Sequence, residues 1–133
     1  MLFIVFMIAG CGINGTNSTN SEKQTKGTYQ SLDQSSAKEN LNSNKDIVLV
    51  DVRTPEEFEE QRIANSILIP DYDIAKLAPR LLPDQEAIIY VYCRSGRRSK
   101  AAATTLVDMG YTHVYDIGGI VDWKYDTISG KAE

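Results

Sequence analysis

The sequence predicts an α/β domain with a central, mostly parallel five-stranded sheet and helices on both faces. Three observations predict it. Apolar, β-branched runs such as "IVLVDV" (47–52) and "AIIYVYC" (87–93) lack the polar alternation of a half-exposed strand, so they suit strands buried on both faces. Helical stretches separate these runs, which demands crossover connections between strands. A length of 133 residues with 42% hydrophobic content leaves room for one such domain and a tail.

The elements follow in order. Structure begins near Thr28, with "TYQSL" as a short edge strand. "SSAKENL" is helical: Ser36 and Glu39 have capping-box spacing, and Ala37 and Leu41 share a face. "NSNKD" is a turn into the 47–52 strand. "TPEEFEEQ" opens a helix with Thr54 as N-cap, Pro55 at its first position and two glutamates in its first turn. "SILIP" is a second short buried strand. "DYDIAKLAPRLLP" reads as a helix with Ile74, Leu77, Ala78 and Leu81 on one face and with Pro79 and Pro83 as breakers. After the 87–93 strand comes the helix "SKAAATTLVDMG", ended by Gly110. "THVYDI" is the last strand, and "GGIVDWKY" is a closing helical turn that Trp123 packs onto the domain.

Chemistry concentrates in "VYCRSGRRSK", Val91 to Lys100. Cys93 ends a strand and is followed by Arg94, Arg97, Arg98 and Lys100. A structural cysteine gains nothing from arginine, whereas a reactive one works as the thiolate, which positive surroundings favour. In parallel sheets ligands bind beyond the carboxyl ends of strands. The loop from Cys93 to the next helix can turn its N–H groups inward, and a helix N-terminus adds roughly half a positive charge. A net charge of -4 argues against nucleic acid as a partner and marks this basic cluster as a local device. Cys11 and Cys93 have no neighbours at metal-ligand spacing, so neither a metal nor an organic cofactor is implied. The single histidine, His113, sits where a strand begins and reads as structural, so Cys93 chemistry would run without a histidine base.

Three blocks, "DVRTPEEF", "CRSGRRS" and "GYTHVYDIGGIVDW", resemble the single-domain rhodaneses in order and spacing, over 28–126 within a domain taken as 28–133. The resemblance implies a rhodanese-like fold and sulfur transfer. The cysteine thiolate attacks a small anionic sulfur donor such as thiosulfate, keeps a persulfide, and gives the sulfur to cyanide, a thiol or a protein. It assigns Cys93 as nucleophile and Arg94, Ser95, Gly96, Arg97 and Arg98 as the cradle, with Ser99 starting the helix. Arg98, which closes the loop, is expected to hold the charge of thiosulfate. Asp51, Arg53 and Glu57 match the first block and read as supporting ion pairs under the loop. Gln61-Arg62-Ile63 departs from the family's Gly-His-Ile, a change that bears on packing rather than chemistry.

The N-terminus carries a separate signal. "MLFIVFMIAGC" is an apolar run too short to span a bilayer, which takes ~20 residues, and it suits the core of a signal peptide over 1–10. "IAGC" resembles the bacterial lipobox, which implies a lipidated Cys11, although no basic residue precedes the run. Two acyl chains suffice for stable anchoring. The Asn/Ser/Thr/Gly-rich stretch Gly12 to Gly27 cannot build a core and makes a tether (11–27 with the cysteine) of ~20–24 Å reach. This layout predicts an extracytoplasmic domain held on a bacterial membrane.

Two other classes remain open at this stage. A cysteine phosphatase or arsenate reductase also places a cysteine in an anion cradle, but the phosphatase pattern Cys-x5-Arg would put its arginine at Ser99. A non-catalytic rhodanese-like binding module commonly lacks the cysteine that is present here, whereas a persulfide-relay module would keep it and is not separated from thiosulfate turnover by the sequence.

Overall fold

The computed structural model describes residues 27–132. The predicted signal peptide, the predicted lipidation site Cys11 and the predicted tether up to residue 26 lie outside the described residues. Five strands form one parallel sheet in the order β1-β6-β5-β2-β4: β1 Gln30–Ser31, β2 Val48–Asp51, β4 Ile67–Leu68, β5 Ile88–Cys93 and β6 His113–Gly119. Four helices cover it: α1 Gln34–Ser43, α2 Pro55–Glu60, α3 Ile74–Leu81 and α4 Arg97–Asp108.

The unbroken apolar runs are explained by two cores, one on each face. Val50, Ile89, Val91 and Cys93 join Ile74, Ala78, Ala102 and Leu106 on the α3/α4 face. Their sequence neighbours Leu49, Tyr90 and Tyr92 point the other way and pack with Ala37, Ile117 and Trp123 under α1. Trp123 is buried there, as the sequence predicts.

Several boundaries differ for identifiable reasons. Helix α1 begins at Gln34, capped by Asp33, whose carboxylate accepts from the Ser36 amide at 2.9 Å and the Ser35 hydroxyl at 2.6 Å. Those bonds hold the Asp33 carboxyl at about 2, and they leave Ser36 inside the first turn rather than capping it. Helix α2 has the predicted start: Thr54 caps it, Pro55 opens it, and Thr54 with Glu57 closes a capping box. Pro79 does not end α3, which runs on to Leu81, and the buried stripe is Ile74, Ala78 and Leu82 while Leu81 is exposed. Unpredicted is a small antiparallel ladder, β3 Arg62–Ile63 with β7 Thr127–Ile128. Arg62 clasps it: its guanidinium donates to the carbonyls of Phe58 (3.1 Å) and Gly130 (2.6 Å) and lies over the Phe58 ring.

Candidate active site

Strand β5 sits at the middle of the sheet, between β2 and β6, and delivers Cys93 to the carboxyl edge with no solvent exposure. The chain then turns through Arg94, Ser95 and Gly96 into α4, which starts at Arg97, two residues before Ser99. Gly96 occupies the N-cap position at φ +101°, a conformation that favours glycine. That turn aims the Gly96 N–H at Cys93 Sγ, 3.0 Å away. An amide at the mouth of a twelve-residue helix thus faces the sulfur, an arrangement that favours negative charge there.

The loop is pinned from below by β6. The Gly119 backbone lies so close that a Cβ on it would stand 2.1 Å from the Arg94 carbonyl oxygen and 2.6 Å from Ser95 Cα. The Val121 amide donates to that carbonyl at 3.2 Å. Gln34, at the start of α1, donates to the carbonyls of Ile117 (3.0 Å) and Gly119 (2.8 Å), fixing the strand end that carries the loop. Neither Gln34 nor the glycine pair was legible as part of the site. The "GG" doublet reads as a helical turn, whereas both glycines complete β6 and a 3-10 turn follows over Ile120–Asp122.

The cradle residues divide by environment. Arg94, Ser95 and Arg97 are exposed, Gly96 and Ser99 are buried, and Arg98 is half-buried. The Arg98 guanidinium is not free for an anion. It grips Glu57 with both ends, donating at 2.7 Å and 3.0 Å to the two carboxylate oxygens. Arg98 holds the Glu57 carboxyl down at about 2, and Glu57 raises Arg98 in return. Because Glu57 also caps α2, this pair ties the loop to that helix. Glu57 thus meets the loop's last arginine from α2. Asp51 and Arg53 turn to each other. They form a buried pair (2.7 Å) at the end of β2, with the Arg53 guanidinium 5.6 Å from the Tyr92 ring centroid. Arg53 also donates to the Gln61 carbonyl, which fastens both ends of α2. His113 is exposed at the opposite end of β6, paired in register with Ile88 rather than with Cys93.

The buried side of the sulfur carries polar groups too. The Cys93 thiol donates to Ser99 Oγ at 3.5 Å, and the Ser99 hydroxyl donates to Asp116 Oδ1 at 2.6 Å. Asp116 is a buried carboxylate that the sequence left unremarked inside "THVYDI".

Comparison with known proteins supports the architecture. A family profile for the rhodanese-like domain matches residues 33–126. Thiosulfate sulfurtransferase PspE of Escherichia coli is 35% identical over 81 residues, covering 61% of this chain and 78% of that protein. A sulfurtransferase of Allochromatium vinosum is 34% identical over 93 residues, covering 69% of this chain and 85% of that protein. The solved structure of an E. coli rhodanese with anions superposes with a TM-score of 0.60 at 33% identity, over 63% of this chain and 99% of that one. With the parallel five-stranded sheet and the cysteine loop at its carboxyl edge, these matches establish that the chain belongs to the rhodanese-like family, whose members include thiosulfate sulfurtransferases.

Proposed function

We propose that this chain carries a sulfane sulfur as a persulfide on Cys93, taken from thiosulfate or a related anionic donor and passed to cyanide, a small thiol or a protein thiol. The observation that carries the reading is the Gly96 N–H aimed at Cys93 Sγ from 3.0 Å at the mouth of α4. In the first half-reaction the Cys93 thiolate attacks the outer sulfur of thiosulfate. The S–S bond of the donor breaks, sulfite leaves with its electron pair, and the negative charge moves to the outer sulfur of the persulfide. In the second, the acceptor attacks that outer sulfur and the Cys93 thiolate is regenerated. Backbone amides of the 94–98 loop suit the persulfide anion, and the exposed Arg94 and Arg97 suit the doubly charged donor.

The arginine at the loop's end speaks against the phosphatase alternative. An oxyanion chemistry needs a guanidinium over the sulfur, and Arg98 is spent on Glu57. Cys93 has no solvent exposure at rest, so atoms around the sulfur must shift before a donor reaches it. The lipobox-like "IAGC" and the polar stretch after it support the further proposal that the domain works outside the cytoplasm on a lipid-anchored tether.

The test is thiocyanate production from thiosulfate and cyanide. Wild type turns over, and Cys93→Ser, which keeps the fold, makes none. A Cys93→Ser protein with wild-type turnover would end the proposal.

A further inference from the structure

A largely buried carboxylate with no ion-pair partner needs a reason to be there. Asp116 is only 4% exposed. Among the described residues no lysine or arginine forms an ion pair with it, and its Oδ1 meets two donors, the Ser99 hydroxyl and the Gly118 amide at 3.0 Å. Leaving such a group in a core is costly without full compensation. Asparagine would accept the same two bonds without the charge, so hydrogen bonding alone does not call for an aspartate.

What a carboxylate adds is the capacity to take a proton. Ser99 is fully buried between the two groups, and its single hydroxyl hydrogen has two acceptors in reach, Asp116 Oδ1 at 2.6 Å and the Gly96 carbonyl at 3.1 Å. The shorter, charged acceptor wins. The Ser99 lone pair then faces the Cys93 thiol, which donates to it at 3.5 Å. The three groups form one directed chain, S–H to O–H to carboxylate.

We propose that Asp116, acting through Ser99, is the proton acceptor of Cys93, replacing the histidine that this site lacks. This rests on the sulfur-transfer reading above. The thiol proton passes to Ser99 Oγ as the Ser99 proton passes to Asp116 Oδ1. The products are a Cys93 thiolate, an unchanged serine and a neutral Asp116 carboxyl. One negative charge moves from the carboxylate to the sulfur, and the buried site gains none. The Ser99 hydroxyl and the Gly96 amide then both donate to the thiolate. Sulfite leaves after the attack, and the proton stays on Asp116 until the thiol re-forms.

Other charged residues lie on the elements around Cys93 and Asp116. Arg94, Arg97 and Lys100 come from the loop and α4, and Arg98 feels Cys93, Glu57 from α2 and Asp71 from the turn before α3. Asp33 and Lys100 line the groove that Asp116 borders. None of these is in line between sulfur and carboxylate, so none substitutes for the relay.

The experiment is the rate of Cys93 alkylation by iodoacetamide, a small neutral reagent, read by intact mass from acid to alkaline pH. In wild type the rate stays flat across an acid interval, because the thiolate draws on the shared proton rather than on solvent. In Asp116→Asn and in Ser99→Ala it falls in proportion to proton concentration. Both variants are slower at neutral pH on the order of 100-fold, the lower range for a positioned proton acceptor, and recover in alkali. An Asp116→Asn protein that alkylates at or above the wild-type rate at neutral pH overturns the relay, since the carboxylate would then be opposing the thiolate. The wild-type profile decides the matter even if both variants misfold: a rate that tracks proton concentration throughout overturns it. Sulfur uptake from thiosulfate is measured alongside. A wild type that takes up sulfur without the flat interval loses the relay alone, whereas one with the flat interval and no uptake loses the thiosulfate reading and keeps the relay.

Discussion

Gly119→Ala isolates the contact that shapes the loop. Its new Cβ would stand 2.1 Å from the Arg94 carbonyl oxygen, where an ordinary contact begins at 3.4 Å, so the two backbones must separate by about 1.3 Å. Nothing at the contact is a flexible side chain, because the nearest atoms are Arg94 O, Arg94 C and Ser95 Cα. The turn they belong to positions the Gly96 amide at 3.0 Å from Sγ, and a shift of that size breaks the bond. A hydrogen bond to a charged group contributes on the order of 1.5–3 kcal/mol, so turnover efficiency falls roughly 10- to 150-fold. Overpacking of this kind also costs about 1–3 kcal/mol of stability. Thiocyanate production gives the first number and denaturant unfolding the second. Gly118→Ala is the comparison: it is strained by φ +88°, but its Cβ would meet only the end of Gln34, at 3.5 Å. If Gly119→Ala kept wild-type turnover, the amide geometry would not be what activates Cys93.

Three other outcomes are expected. Arg98→Ala slows transfer from thiosulfate and from a neutral polysulfide equally, because Arg98 serves the loop through Glu57; Arg94→Ala and Arg97→Ala slow thiosulfate selectively, and a donor-selective Arg98→Ala would refute this division. Glu57 sits near 2 in the folded protein against an ordinary 4.5, so its stabilisation is present above the ordinary value and is lost as pH falls from 4.5 toward 2. Glu57→Gln, which can still cap α2, should therefore be less stable than wild type by about 1 kcal/mol near neutrality, the upper range for a partly exposed pair, with the gap closing across that acid window in urea melts. Cys11→Ala should release the protein from membranes in cell fractionation, and a wild type that is soluble and unlabelled by palmitate would show the N-terminal segment to be something other than a lipid anchor.

The parts of this protein that local chemistry dictates were legible in its sequence. Two-sided burial of 47–52 and 87–93 follows from their apolar runs, and the start of α2 follows from Thr54, Pro55 and Glu57. The cation-ringed Cys93 at a strand end pointed to the site. What tertiary contact decides was not legible. Leu81 has the right spacing for the core, but the path of α3 past Pro79 turns Leu82 inward instead. Arg98 looks like an anion ligand until Glu57, 41 residues earlier, is seen to hold it. The β3 and β7 strands, two residues each, are too short to leave a pattern. Gln34 and Asp116 reach the site only because β6 lies beside β5, and the one faint signal was a charged residue inside an apolar strand run.

Cys93 is proposed to carry the sulfur, and intact-protein mass spectrometry after brief exposure to thiosulfate reads that event itself. The mass should rise by one sulfur atom, located on Cys93 by fragmentation, removed by cyanide, and absent in Cys93→Ser. An unchanged mass in active, folded wild type, or the same gain in Cys93→Ser, would contradict it.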